Sequence, residues 1–122
     1  MNIKKILLVD DTPVARRILK SCIPRAEDYE FHEAEDGVKG LEVYRNIRPD
    51  LTFMDINMPN MDGMDCLKQI IKIIPNAVVV MCSSEVTPES IQKATSLGAF
   101  SVIKKPPTRD SVQQVLAKIQ DR

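Results

Sequence analysis

Four apolar runs in this sequence end abruptly on residues that could do chemistry. Asp10 and Asp11 follow "ILLV" (6–9), and Asp55 follows "LTFM" (51–54). Ser83 follows "AVVVMC" (77–82), and Lys104 and Lys105 follow "FSVI" (100–103). Adjacent acids repel, and burying either without a partner is expensive. A hard cation would relieve them. Mg²⁺ takes oxygen ligands, usually few carboxylates plus water and phosphate oxygens. One carboxylate would be left as a nucleophile, since aspartyl phosphates are a form of covalent catalysis. The Ser83 hydroxyl and a lysine ammonium could then bind the phosphoryl oxygens that carry charge in the transition state. The plainer alternative is that Asp11 caps a helix and Asp10 is an ordinary strand-end acid.

For those residues to meet, the elements carrying them must be arranged in one way. "KKILLV" (4–9), "YEFHEA" (29–34), "LTFM" (51–54), "AVVVMC" (77–82) and "FSVI" (100–103) read as strands. The first and fourth are almost wholly apolar, as strands covered on both faces should be. Between them run helical stripes: Val14, Ile18, Leu19, Cys22 and Ile23; Val38, Leu41, Tyr44 and Ile47; Met64, Leu67, Ile70, Ile71 and Ile74. Pro24, Pro49 and Pro75 close them in turn. A fourth helix opens with Thr87 as N-cap and Pro88 at its first position and ends at Gly98. A fifth opens at Thr108 and carries Val112, Val115, Leu116 and Ile119. Strands alternating with helices at this spacing predict an α/β protein with a parallel sheet covered on both sides. In such a sheet the crevice for chemistry lies at the strand C-terminal ends. All the residues singled out above would collect on that rim.

Composition narrows the possibilities. The chain of 122 residues is 43% apolar and 28% charged, which predicts one globular domain, 1–122. Its formal net charge of zero gives no global attraction to nucleic acid or an anionic membrane. Neither a spanning segment nor a secretion signal is present, and a cytoplasmic protein is expected. Cys22, Cys66 and Cys82 are far apart, each in apolar sequence, and read as buried reduced thiols. His32 is the sole histidine and reads as structural, and Lys104 as solvated surface.

The sequence resembles the receiver domains of two-component response regulators, most closely the single-domain chemotaxis type. "LLVDD", "EAEDG", the acceptor segment from Pro49 through "MDINMPNMDG", "SSE" before the fourth helix, "LGA" and "KKPP" stand in family order at family spacing. The resemblance covers essentially the whole chain. It implies a doubly wound, flavodoxin-like fold with five strands in the order 2-1-3-4-5 and five helices; the order is not read from the pattern. It also implies that Asp55 is the phosphoacceptor, that Asp11 ligates Mg²⁺ directly and that Asp10 does so through water. Asn57 matches the position that ligates through its backbone carbonyl. Ser83 matches the hydroxyl position and Lys105 the phosphoryl-binding lysine, whose bond to Pro106 is often cis. Met58, Pro59 and Gly63 match the loop that carries the acceptor into the third helix. The implied partners are a sensor histidine kinase and a downstream effector protein on the face of the fourth helix, fifth strand and fifth helix.

Two positions depart from the family pattern. Val102 stands where an aromatic usually swings inward on phosphorylation, and Pro107 where an aromatic commonly follows the Lys-Pro pair. The expected function is a phosphorylatable switch rather than an enzyme with an external substrate. One rival is an aspartyl-phosphate phosphohydrolase, but that chemistry generally needs a second acid where this chain has Asn57. An interaction-only pseudo-receiver is the other, against which the complete set of Asp10, Asp11, Asp55, Ser83 and Lys105 argues.

Overall fold

In the computed structural model, which describes residues 2–25 and 28–121, strands and helices alternate along the chain. The strands are β1 (Lys5–Val9), β2 (Glu30–Ala34), β3 (Leu51–Asp55), β4 (Val79–Ser83) and β5 (Ser101–Lys104). The helices are α1 (Pro13–Cys22), α2 (Gly37–Ile47), α3 (Gly63–Ile73), α4 (Pro88–Ser96) and α5 (Arg109–Gln120). Every strand pair is parallel and the order is β2-β1-β3-β4-β5, the doubly wound arrangement that the resemblance implied.

Successive side chains of a strand point to opposite faces, and that alternation sorts the core into two layers. Ile6, Leu8, Leu51, Phe53, Val80 and Cys82 meet α1 and α5 on one face. Leu7, Val9, Met54, Val79 and Met81 meet α2, α3 and α4 on the other. Strands β1, β3 and β4 are therefore buried on both faces and, apart from Thr52 and the strand ends, apolar, which is why their sequences show no alternation.

The helices start where their first residues predict. Thr12, Asp36, Asp62, Thr87 and Thr108 are N-caps, each accepting a backbone N–H three residues on. Thr87 with Ser90, and Thr108 with Ser111, bond reciprocally as capping boxes. The stripe of α1 needs correction. Leu19, Cys22 and Ile23 are buried, but Val14 is 60% exposed and Ile18 41%. Both line an apolar cavity of about 300 Å³ between α1 and the loop after β5, where Pro106 and Pro107 form the opposite wall. Periodicity located the apolar face but not the gap opposite its first turn. Val38 on α2 is likewise exposed, while Tyr44 is buried.

Candidate functional site

Strand β1 leads through α1 to β2 at one side of it, and β3 leads through α3 to β4 on the other side. The chain thus diverges between β1 and β3, and a crevice opens at their C-terminal ends. Asp10 directly follows β1 and Asp55 is the last residue of β3. One carboxylate oxygen each from Asp10, Asp11 and Asp55 lies within 4.8 Å of the other two. Asp10 and Asp55 are buried and Asp11 is exposed.

What holds two buried acids side by side is Lys105. Its Nζ lies 2.6 Å from Asp10 Oδ2 and 3.4 Å from Asp55 Oδ2. The lysine is aimed by its own backbone, whose N–H donates to the Ser83 carbonyl at 2.8 Å. Lys104, one residue earlier, is exposed on the opposite side of the strand end. The Lys105–Pro106 peptide is cis.

Asp10 is held further. Its Oδ1 accepts the Thr12 N–H at 3.1 Å, and its backbone carbonyl accepts Arg16 Nη1 at 2.5 Å. The N-cap of α1 is Thr12, not Asp11, so capping does not account for Asp11. Asp55 accepts the backbone N–H of Asn57 on its carboxylate. The loop can fold back so tightly because of Gly63, whose N–H donates to Ile56 O at 2.7 Å. A Cβ at that position would sit 2.1 Å from the Asp55 carbonyl oxygen, so only glycine fits.

The electrostatics follow from this crowding. Burial first, and then the negative charge of Asp10, push the Asp55 pKa up, against the opposing pull of Lys105 and the Asn57 N–H. Burial alone works against the Lys105 ammonium. The hydrogen bond and charge of Asp10, together with the charge of Asp55, outweigh it and raise the lysine's pKa. The Cys82 thiol beneath the acids is pushed up to about 12 by burial and stays protonated. The donors facing the crevice are thus all oxygens, a set that suits a hard cation such as Mg²⁺ and not a thiophilic one.

Ser83 ends β4 and is buried on the same rim, but its hydroxyl donates to Glu85 O at 2.9 Å and accepts Glu85 N–H at 3.2 Å. It is near the acids without being bonded to them. Val102 is half-buried against the second layer of the core. The three cysteines are buried free thiols, and His32 pairs with Glu30 at 2.6 Å away from the rim. Sequence reasoning missed Arg16, and it noticed Asp36 only as a letter of "EAEDG". Asp36 accepts the Asn60 side-chain amide at 2.8 Å and so ties α2 to the loop after Asp55.

The chain has counterparts among known proteins. Residues 6–117 match the family model for the response regulator receiver domain. The chain belongs to the response regulator receiver family. This receiver domain is 37% identical over 116 residues to the chemotaxis protein CheY of Thermotoga maritima, covering 95% of this chain and 97% of that one. It is 36% identical over 114 residues to CheY of Bacillus subtilis, covering 93% and 95%. Among solved structures it resembles CheY in the CheX–CheY–BeF₃–Mg²⁺ complex from Borrelia burgdorferi, with a TM-score of 0.89 and 29% identity over 96% of this chain and 89% of that one. CheY4 of Vibrio cholerae gives 0.86 at 27% identity, over 97% and 99%. The receiver domain is therefore of the CheY type. No helix among its described residues is long and apolar enough to cross a membrane.

Proposed function

We propose that this receiver domain is a phosphoryl-accepting switch, with Asp55 as acceptor and a sensor histidine kinase as donor. The observation that carries the reading is the placement of Asp55, with two further carboxylates within 4.8 Å and the Lys105 ammonium at 3.4 Å. In the transfer, an Asp55 carboxylate oxygen forms a bond to phosphorus. The bond from phosphorus to the donor's imidazole nitrogen breaks, and the nitrogen keeps the electron pair. Asp10, Asp11, Asp55 and the Asn57 carbonyl would hold Mg²⁺. When bound, the ion supplies charge neutralisation to the carboxylates and the phosphoryl oxygens. Lys105 takes a further phosphoryl oxygen, having its ammonium already oriented between the acids. The chain catalyses only its own phosphorylation and dephosphorylation.

The output begins at Ser83. A phosphoryl group on Asp55 offers its hydroxyl a stronger acceptor than the Glu85 carbonyl. Trading one for the other draws in the loop from Ser84 to Thr87 and re-poses α4. Because Val102 is small, the shift is carried by the loop and helix rather than by a swinging ring. A downstream protein then reads the face of α4, β5 and α5, where Ile91 and Lys104 are exposed. In the Borrelia complex, a relative's partner is CheX; a protein that binds the phosphorylated form is the corresponding expectation here.

Incubation with a small phosphodonor and Mg²⁺ tests this reading. One base-labile phosphoryl group should appear, and mass spectrometry should place it on Asp55. Lys105→Ala should label poorly, and Lys104→Ala like wild type. An Asp55→Asn protein labelled as strongly as wild type overturns the assignment.

A further inference from the structure

On the reading proposed above, the loop between Asp55 and α3 would offer Mg²⁺ the backbone carbonyl of Asn57 rather than its side chain, and the position of that carbonyl would then depend on what fixes the loop's main chain. Gly63 closes the loop at its base. Its far side is fixed from another element altogether, the N-terminus of α2. Asp36 uses its two carboxylate oxygens for two different tasks. Oδ1 caps α2 by accepting the Lys39 N–H at 2.7 Å, and Oδ2 accepts the Asn60 side-chain amide at 2.8 Å. One residue on, the Gly37 N–H donates to the Met61 carbonyl at 3.2 Å. A Cβ on Gly37 would meet that carbonyl oxygen at 2.3 Å, so the approach requires glycine. The N-cap and first residue of α2 thus grip two consecutive residues of the loop.

The gripped residue is itself conformationally unusual. Asn60 has φ 69, in the left-handed region that asparagine tolerates better than other residues with a side chain. The same asparagine makes the turn and carries the tether. Among the described residues, the amide's bond to Asp36 is the hydrogen bond that ties Asn60 itself to the N-terminus of α2, beside the Gly37–Met61 bond one residue on.

We infer that Asp36 is a positioning residue for the metal and phosphoryl site, acting through Asn60 on the main chain of Asn57. This rests on the proposal that Asn57 contributes its carbonyl to bound Mg²⁺. A loop held in advance loses less freedom when the ion binds, so the tether appears as Mg²⁺ affinity.

The capping and tethering tasks can be separated. Asp36→Ser keeps a good N-cap but is too short to reach Asn60. Asn60→Gly removes the amide and keeps the left-handed turn. Mg²⁺ binding to each purified variant, followed by NMR titration with MgCl₂ alone, should weaken by about tenfold, the low end of what outer-shell partners contribute. The double variant should be no weaker than either single one, because both remove the same bond. Melting of the metal-free proteins shows that Asp36→Ser has not simply lost its helix cap. Wild-type Mg²⁺ affinity in either single variant, or losses that multiply in the double, would overturn the inference. A wild-type protein that binds no Mg²⁺ would instead defeat the reading of the site on which it rests.

Discussion

Strands β1, β3 and β4 each have two kinds of environment along a few residues. In the middle of the sheet their side chains are fully buried and, Thr52 excepted, apolar, Leu7, Leu8, Phe53 and Val80 among them. At the C-terminal rim the same strands end on buried polar groups, Asp10, Asp55 and Ser83. The middle gains stability from every apolar atom removed from water. The rim gathers like charges whose mutual cost is offset in part by Lys105. The contrast teaches that the fold's stability and its chemistry are carried by different segments of the same strands. Substitutions should therefore change sign on passing from one to the other.

The largest effect is expected in the middle. Phe53 is 1% exposed and packs in the layer between the sheet and α1 and α5. Phe53→Ala should cost about 3–5 kcal/mol, the usual range for an emptied aromatic site. Denaturant unfolding measures it. A loss below about 1 kcal/mol would mean that the site collapses around the missing ring and that the middle is softer than its burial implies.

At the rim, Asp55→Asn should raise the melting temperature at neutral pH. The folded-state pKa of Asp55 is raised, chiefly by burial and by Asp10. The folded form therefore holds its proton more tightly than the unfolded chain does. Asp55 favours folding most below its unfolded pKa and loses that contribution as pH rises through the folded value. Asparagine mimics the protonated acid at every pH. The gain should be full above the folded pKa and vanish below the unfolded one. Mg²⁺ should raise the wild-type melting temperature through binding to the native state and do so far less in the variant. A variant that melts below wild type at neutral pH would show that the Lys105–Asp55 attraction outweighs burial, and the contrast with the middle would fail.

What the sequence disclosed and what it hid divides differently, between local signals and single contacts made across the fold. Apolar runs at β1 and β4 and caps at Thr87 and Thr108 are local signals, and those elements lie where expected. Asp10, Asp11, Asp55 and Lys105 were legible because each follows a strand and parallel strands put their ends together. The strand order came from resemblance, since no local pattern says whether β3 pairs with β1 or β2. Exposure of Val14 and Ile18 was hidden because it depends on a gap opposite α1, bounded by Pro106 and Pro107. The Ser83 hydroxyl's bond to Glu85 and the Asp36–Asn60 tether were hidden too. Both are made by individual polar side chains at loops, which no periodicity encodes.

Thr52 tests the contrast most finely, because it is a polar side chain buried in the middle rather than at the rim. It is fully buried on β3, and its Oγ1 has no hydrogen-bond partner among the described residues. Asp10, Asp55 and Ser83 all have partners. An unpaired hydroxyl in an apolar layer costs about 1–3 kcal/mol on the scale of protein substitutions. Valine has nearly the same shape, favours strands, and brings no group that needs a partner. Thr52→Val should therefore stabilise by about 1 kcal/mol, which for a domain of this size is a rise of about 3–5 °C in melting temperature. Phosphorylation should be unchanged, since Thr52 is three residues before the acceptor and faces the core. A lower melting temperature in the variant would mean that the hydroxyl is satisfied by a bound water. Polar groups in the middle would then be held as carefully as those at the rim, and the two regions would differ in charge alone.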